Sequence, residues 1–187
     1  MLVETEGDDM SEMVRMYGVV DDSIVDGPDL RFGVFVQGCS HHCPGCHNLE
    51  SQDPKGGYLA SLDELYDQIV ASHRRSVTFS GGEPFEQARE LYPLAERLKR
   101  EGFNLWVYSG YRYEDLATGH PDEWAPKLLS LCDVLVDGPF VESLHSYDLQ
   151  WKGSSNQRVI DLVKTRDAGR VVLYGQEDLG FSIPDNW

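Results

Sequence analysis

Apolar residues in this chain come in short runs that alternate between two spacings, and the alternation predicts strands and helices taking turns. Val14 to Val20 reads as a short edge strand, and Arg31 to Gln37 as the first well-defined one after the turn-rich Asp26-Gly27-Pro28-Asp29-Leu30. Ser61-Leu62-Asp63-Glu64-Leu65 then opens with a serine cap and an acid three residues on, and Leu65, Ile69 and Val70 keep helical spacing to about Ser72. Ser76 to Phe79 is too short for a helix and reads as a buried strand ending in Ser80-Gly81-Gly82-Glu83-Pro84. A second helix, about Glu86 to Glu101, stops at Gly102.

The rhythm continues with a strand at Asn104 to Tyr108, a turn at Ser109-Gly110, and a helical region from Tyr113 to Leu131 broken near Gly119-His120-Pro121. A strand at Asp133 to Val136 enters Asp137-Gly138-Pro139. After an irregular stretch to Ser155, a helix over about Asn156 to Lys164 precedes a last strand, Arg170 to Tyr174. Such alternation predicts an α/β fold on a parallel sheet, open or partly rolled, with working loops at the carboxyl ends of its strands.

Length narrows the architecture. An eight-stranded β/α barrel takes about 250 residues, so a barrel built from 187 residues is incomplete, with a gap in its wall. One domain is expected over residues 13–174, with a flexible tail at 1–12 and another at 175–187. Acidic residues outnumber basic ones 32 to 16, for a formal charge of −16, which argues against nucleic acid or an anionic membrane as partner. With no hydrophobic leader and no membrane-length apolar run, the expected location is cytoplasmic.

Cysteine changes the picture most. Three of the four cysteines, Cys39, Cys43 and Cys46, sit in one loop after the first strong strand, clustered as metal ligands are and not spread as a disulfide framework. With His47 they fit a closed Cys3His zinc site. Three thiolates on a four-iron cluster instead leave one iron without a protein ligand, open to a bound molecule. Cys132 precedes its strand, at the opposite end from the cysteine loop, and reads as a buried structural thiol. His41 and His42 read as solvated loop residues.

The Cys-x3-Cys-x2-Cys loop, followed by a strand and Ser80-Gly81-Gly82-Glu83-Pro84, resembles the radical S-adenosylmethionine superfamily. Gly38-Cys39 through Cys46-His47-Asn48, Leu135-Val136-Asp137-Gly138-Pro139-Phe140 and Lys152-Gly153-Ser154-Ser155-Asn156-Gln157-Arg158 are together similar to the activating enzymes of anaerobic (class III) ribonucleotide reductases. The match runs from about Met16 to Leu173. One departure is Gly27-Pro28-Asp29-Leu30-Arg31, where the family commonly has glycine in place of Asp29; aspartate tolerates a positive φ at some cost.

The resemblance implies an incomplete parallel β/α barrel of the radical S-adenosylmethionine type, with about five to six strands. It implies a [4Fe-4S] cluster on Cys39, Cys43 and Cys46 and bound S-adenosyl-L-methionine. The partners it implies are the glycyl radical subunit of a class III reductase and a flavodoxin-like electron donor. The alternatives are a radical enzyme acting on a small molecule, similar to a deazaguanine synthase, and a non-catalytic zinc or iron–sulfur interaction module.

Each further candidate has two readings. Gly81 and Gly82 let backbone approach a ligand without Cβ interference, or simply make a turn. Glu83 supports the ligand's ammonium, or caps the helix that follows. Asp137, and more weakly Ser109, accept from ribose hydroxyls as the resemblance suggests, or Asp137 belongs to an ordinary Asp-Gly turn. His47 takes the position where the superfamily often has an aromatic near the adenine. Ser155, in Gly153-Ser154-Ser155-Asn156, caps a helix or helps its N-terminus attract a carboxylate.

Overall fold

In a computed structural model, residues 13–175 are described. The expected tails therefore lie outside the described residues, save Gly175. The strands are β1 (Met13–Ser23), β2 (Arg31–Val36), β3 (Tyr58–Ser61), β4 (Ser76–Gly81), β5 (Asn104–Tyr108), β6 (Val134–Asp137) and β7 (Arg158–Asp161). The helices are α1 (Leu62–Ala71), α2 (Ala88–Arg100), α3 (Tyr113–Ala117), α4 (Ala125–Leu131) and α5 (Leu162–Ala168). Among the described residues no helix is long and apolar enough to cross a membrane.

All seven strands form one mixed sheet in the order β3-β1-β2-β4-β5-β6-β7. The centre, β2-β4-β5-β6, is parallel, as βαβ alternation requires, whereas β1, β3 and β7 join antiparallel at the flanks. The expectation of about five to six strands therefore undercounts the sheet and overcounts its parallel part. Val14 to Val20 does not form an edge strand, because the unforeseen β3 pairs outside β1.

Period-2 alternation along the central strands sorts their side chains onto two faces. Val34, Val36, Val77, Phe79, Leu105, Val107 and Leu135 share the main core with residues from all five helices. Trp106, Val134 and Val136 instead form a smaller cluster with Tyr108, Trp151, Val159 and Tyr174. Helices thus cover one face, while the other is closed in part by aromatic side chains and left open at one end.

Two expected elements are replaced. Asn156 to Lys164 is not a helix: residues 158–161 pair with β6, and α5 starts only at Leu162, capped by Asp161, whose side chain accepts from the Lys164 N–H at 2.9 Å. Arg170 to Tyr174 makes no strand, contributing only an isolated bridge between Leu173 and Ile160. Ser61 does occupy the cap position of α1, but its side chain makes no capping bond.

Candidate functional site

The parallel register brings four strand ends into line. Val36 is level with Gly81, Phe79 with Val107, and Tyr108 with Val136, so the segments after β2, β4, β5 and β6 emerge side by side. The ladder continues beyond the strands. Gly82 N–H donates to the Val36 carbonyl at 2.8 Å and Glu83 N–H to the Gly38 carbonyl at 2.7 Å, which zips the glycine turn to the start of the cysteine loop.

This contact accounts for the glycine pair. Gly81 has φ +98°, and a Cβ there would lie 2.6 Å from the Val36 carbonyl oxygen; a Cβ on Gly82 would overlap the Gly38 carbonyl. The close approach that the glycines permit is therefore first to the cysteine loop's own backbone. A second support comes from the 3-10 turn at Leu49–Ser51: Gly38 N–H donates to the Ser51 carbonyl at 2.7 Å, and Cys39 N–H to the Gln52 carbonyl at 3.1 Å.

Between these segments lies a cleft of about 150 Å³, lined by Cys39, Cys43, Cys46, Ser80, Gly81, Gly82, Glu83 and Ser109, among others. The three thiols are free, and so is the core-buried Cys132. Burial pushes the Cys39 thiol up to about 11 and that of Cys132 to about 12. A metal binding Cys39 must therefore displace a proton.

Glu83 is 1% exposed and saturated. One oxygen accepts from Phe85 N–H at 3.0 Å and Ser109 Oγ at 2.9 Å; the other accepts from Gly110 N–H at 2.7 Å and faces His41 Nε2 at 3.1 Å. The capping reading of Glu83 is thus realised, on the 3-10 turn Pro84–Gln87 that precedes α2, while its carboxylate still borders the cleft. His41 corrects the expectation of a solvated loop residue. Its ring lies edge-on to Tyr111 at 4.4 Å, a Cβ on Gly110 would run into it, and the Glu83 hydrogen bond raises its pKa despite partial burial.

Three expected residues do not line the cleft. Asp137 is buried behind Gly138, its carboxylate accepting from Tyr113 N–H at 2.8 Å and from Arg158, whose Nε lies at 3.0 Å. Arg158 also reaches Glu114 on α3 at 2.8 Å and does not line the cleft. His47 packs edge-on to Phe140 at 5.2 Å and His145 at 5.4 Å and lines an adjoining groove of about 560 Å³. Ser155 is exposed beside a third cavity, of about 400 Å³, and without a helix behind it there is no helix N-terminus to attract an anion.

The sequence reading missed other lining residues. Tyr108 faces both the cleft and the adjoining groove, and burial raises its hydroxyl pKa. Gln157 lines the cleft while accepting from Gly153 N–H at 2.8 Å and donating to the Gly138 carbonyl at 2.9 Å, tying two loops together. Phe140 adds an apolar wall. The alternating strand pattern places Tyr108 opposite the helices, and this signal was available; Gln157 carried none of its own.

The donor set fits a four-iron cluster: Cys39, Cys43 and Cys46 line one cleft, and such a cluster takes each thiolate on a separate iron. His47, the fourth donor of the Cys3His alternative, lines the neighbouring groove.

Comparisons agree with this chemistry. Residues 25–160 match the family described as "4Fe-4S single cluster domain". The chain is 36% identical over 146 residues to the anaerobic ribonucleoside-triphosphate reductase-activating protein of Salmonella typhi, covering 73% of this chain and 91% of that one. It is 34% identical over 145 residues to the protein of that name in Escherichia coli K12 (73% and 91% covered), and 30% over 142 residues to that of Enterobacteria phage T4 (72% and 86%). QueE from Escherichia coli, a solved structure, overlaps 52% of each chain at 18% identity and TM-score 0.41, a likeness that carries no argument.

Proposed function

Because this chain belongs to the family of anaerobic ribonucleoside-triphosphate reductase-activating proteins, we propose that it is the activase that generates a glycyl radical on a class III ribonucleotide reductase. The carrying observation is three free thiols in one cleft at the carboxyl ends of the sheet's four parallel central strands. When bound there, a reduced [4Fe-4S] cluster would supply the one electron that cleaves the C5′–S bond of S-adenosylmethionine, releasing methionine and a 5′-deoxyadenosyl radical able to take a hydrogen atom from a glycine Cα.

Cys39, Cys43 and Cys46 would hold the cluster. Glu83, fixed by its donors, puts negative charge on the wall where an ammonium would be favoured, and Ser80 adds a hydroxyl. Tyr108 and Phe140 offer apolar surface to a nucleoside and exclude water. Asp137 acts one step back: clamped by Arg158 and Tyr113 N–H, it positions the turn that presents Gly138.

The adjoining groove, which meets the cleft at Tyr108, is the route we assign to the partner's glycine-bearing segment. It suits the gap of an incomplete barrel, which is how we read the sheet. A flavodoxin-like protein in the cytoplasm is the proposed electron source, by family resemblance. The test is anaerobic reconstitution, then mixing with a class III reductase, reductant and S-adenosylmethionine. A glycyl signal in electron paramagnetic resonance is expected. Uptake of zinc without iron, or a cluster that never cleaves S-adenosylmethionine, overturns the reading.

A further inference from the structure

Gln52 carries a polar group that the fold leaves unanswered beside the three cysteines. It lines the cleft with them, and its backbone carbonyl supports Cys39. Its side-chain Oε1 faces His42 Nδ1 at 3.4 Å, but its Nε2 is buried with no partner in the protein. A buried donor without an acceptor is destabilising, so such a group calls for an explanation. The other buried groups in this condition among the described residues, Gln37 Oε1 and Asn156 Oδ1, belong to residues that do not line the cleft.

The chemistry of the cleft names the missing acceptor. Its most concentrated acceptors, once metal is bound, are sulfurs: three thiolates and the cluster's own sulfides. Turning the amide over would leave a buried carbonyl unpaired instead, in a cleft whose other lining is rich in acceptors. We infer that the Gln52 amide N–H donates a hydrogen bond to a sulfur of the cluster and raises its reduction potential. Donation favours the more negative, reduced state. This inference rests on reading the cleft as a cluster site.

The experiment compares wild type, Gln52→Leu and Gln52→Glu after anaerobic reconstitution, by iron per chain, redox titration and exchangeable-proton electron–nuclear double resonance of the reduced cluster. Gln52→Leu keeps the side chain's bulk but not its donor. It is expected to load iron like wild type, to titrate at a more negative potential and to lose one exchangeable-proton coupling. Gln52→Glu, near-isosteric and acceptor-only, should shift the potential further in the same direction and guards against a packing defect in the leucine variant. A loaded Gln52→Leu or Gln52→Glu protein with wild-type potential and couplings overturns the inference, including the case where the amide serves water or the ligand's carboxylate. If wild type itself fails to bind about four irons, the underlying cluster reading has failed instead.

Discussion

The two ends of the parallel core each bury an ion, and they do opposite things with it. At the amino end Arg31, 1% exposed, donates to Thr78 Oγ1 at 2.7 Å, Asn104 Oδ1 at 3.0 Å and the Val77 carbonyl at 2.8 Å, with its guanidinium 5.2 Å from the Trp106 ring. Burial lowers its pKa to about 10. Trp151 and Tyr174 pack edge-on against Trp106 at 5.3 and 5.1 Å. At the carboxyl end Glu83 is held as tightly, yet glycine backbones and the cysteine loop leave a cleft beside it. Saturating a buried charge is thus compatible with a plug or with a site; side-chain bulk around it decides which.

Cysteine replacement should separate the ends most completely. Cys43→Ala is expected to abolish cluster binding, measured as iron per chain after reconstitution, because it removes one of three ligands. Cys132→Ala, in the core beside the amino end of β6, should keep its iron and lose about 1 kcal/mol in urea unfolding for the missing buried volume. Iron loss in the second variant would erase the distinction between site and scaffold.

Next in size is Gly82→Val. Its Cβ meets the Gly38 carbonyl, so the substitution should displace the cysteine loop and lower iron loading several-fold, together with any affinity for S-adenosylmethionine. Reading the glycine only as a ligand contact predicts intact iron with weakened ligand binding. Parallel iron analysis and equilibrium dialysis discriminate between the two.

The same contrast explains what could be read beforehand. Cys39, Cys43, Cys46 and the glycine turn were legible because each motif is local, and the strands that deliver them carry clear apolar runs. His41 was not, since its partner Glu83 is 42 positions away. The Arg31 plug was hidden for the same reason, its acceptors lying 46 to 73 positions off. The misread segment at residues 156–164 fails differently. Ser154-Ser155-Asn156 looks like a helix cap, but the segment's Val159 and Ile160 complete β7 against β6, and the cap is Asp161. A four-residue strand running directly into a helix leaves no break in the apolar pattern to mark the change.

At the amino end the expected effects fall on stability alone. Arg31→Met fills similar space but strips Thr78, Asn104 and Val77 of a charged donor, and should cost about 3 kcal/mol by urea unfolding. Iron per folded chain should stay at the wild-type value. A loss of iron at unchanged stability would mean that the two ends communicate.

The smallest effect belongs to Asp29, in the segment leading to Arg31. It has φ +62°, so the positive φ at the family's glycine position is indeed demanded here. A left-handed conformation costs an ordinary L-residue about 1–2 kcal/mol, less for aspartate. Glycine removes that cost but gives back about 0.4–1 kcal/mol through the freedom it adds to the unfolded chain. Asp29→Gly should therefore stay within about 0.5 kcal/mol of wild type, while Asp29→Val, β-branched, should lose about 1–2 kcal/mol. Neither should change the cleft, because Asp29 lines neither it nor the adjoining groove, and beside it a Cβ on Gly27 would lie 2.7 Å from Arg31 Cδ and 3.1 Å from Trp106. Paired unfolding curves and iron analyses of the two variants test both halves of that statement, and altered iron loading in either would tie the backbone at Asp29 to the chemistry of the cleft.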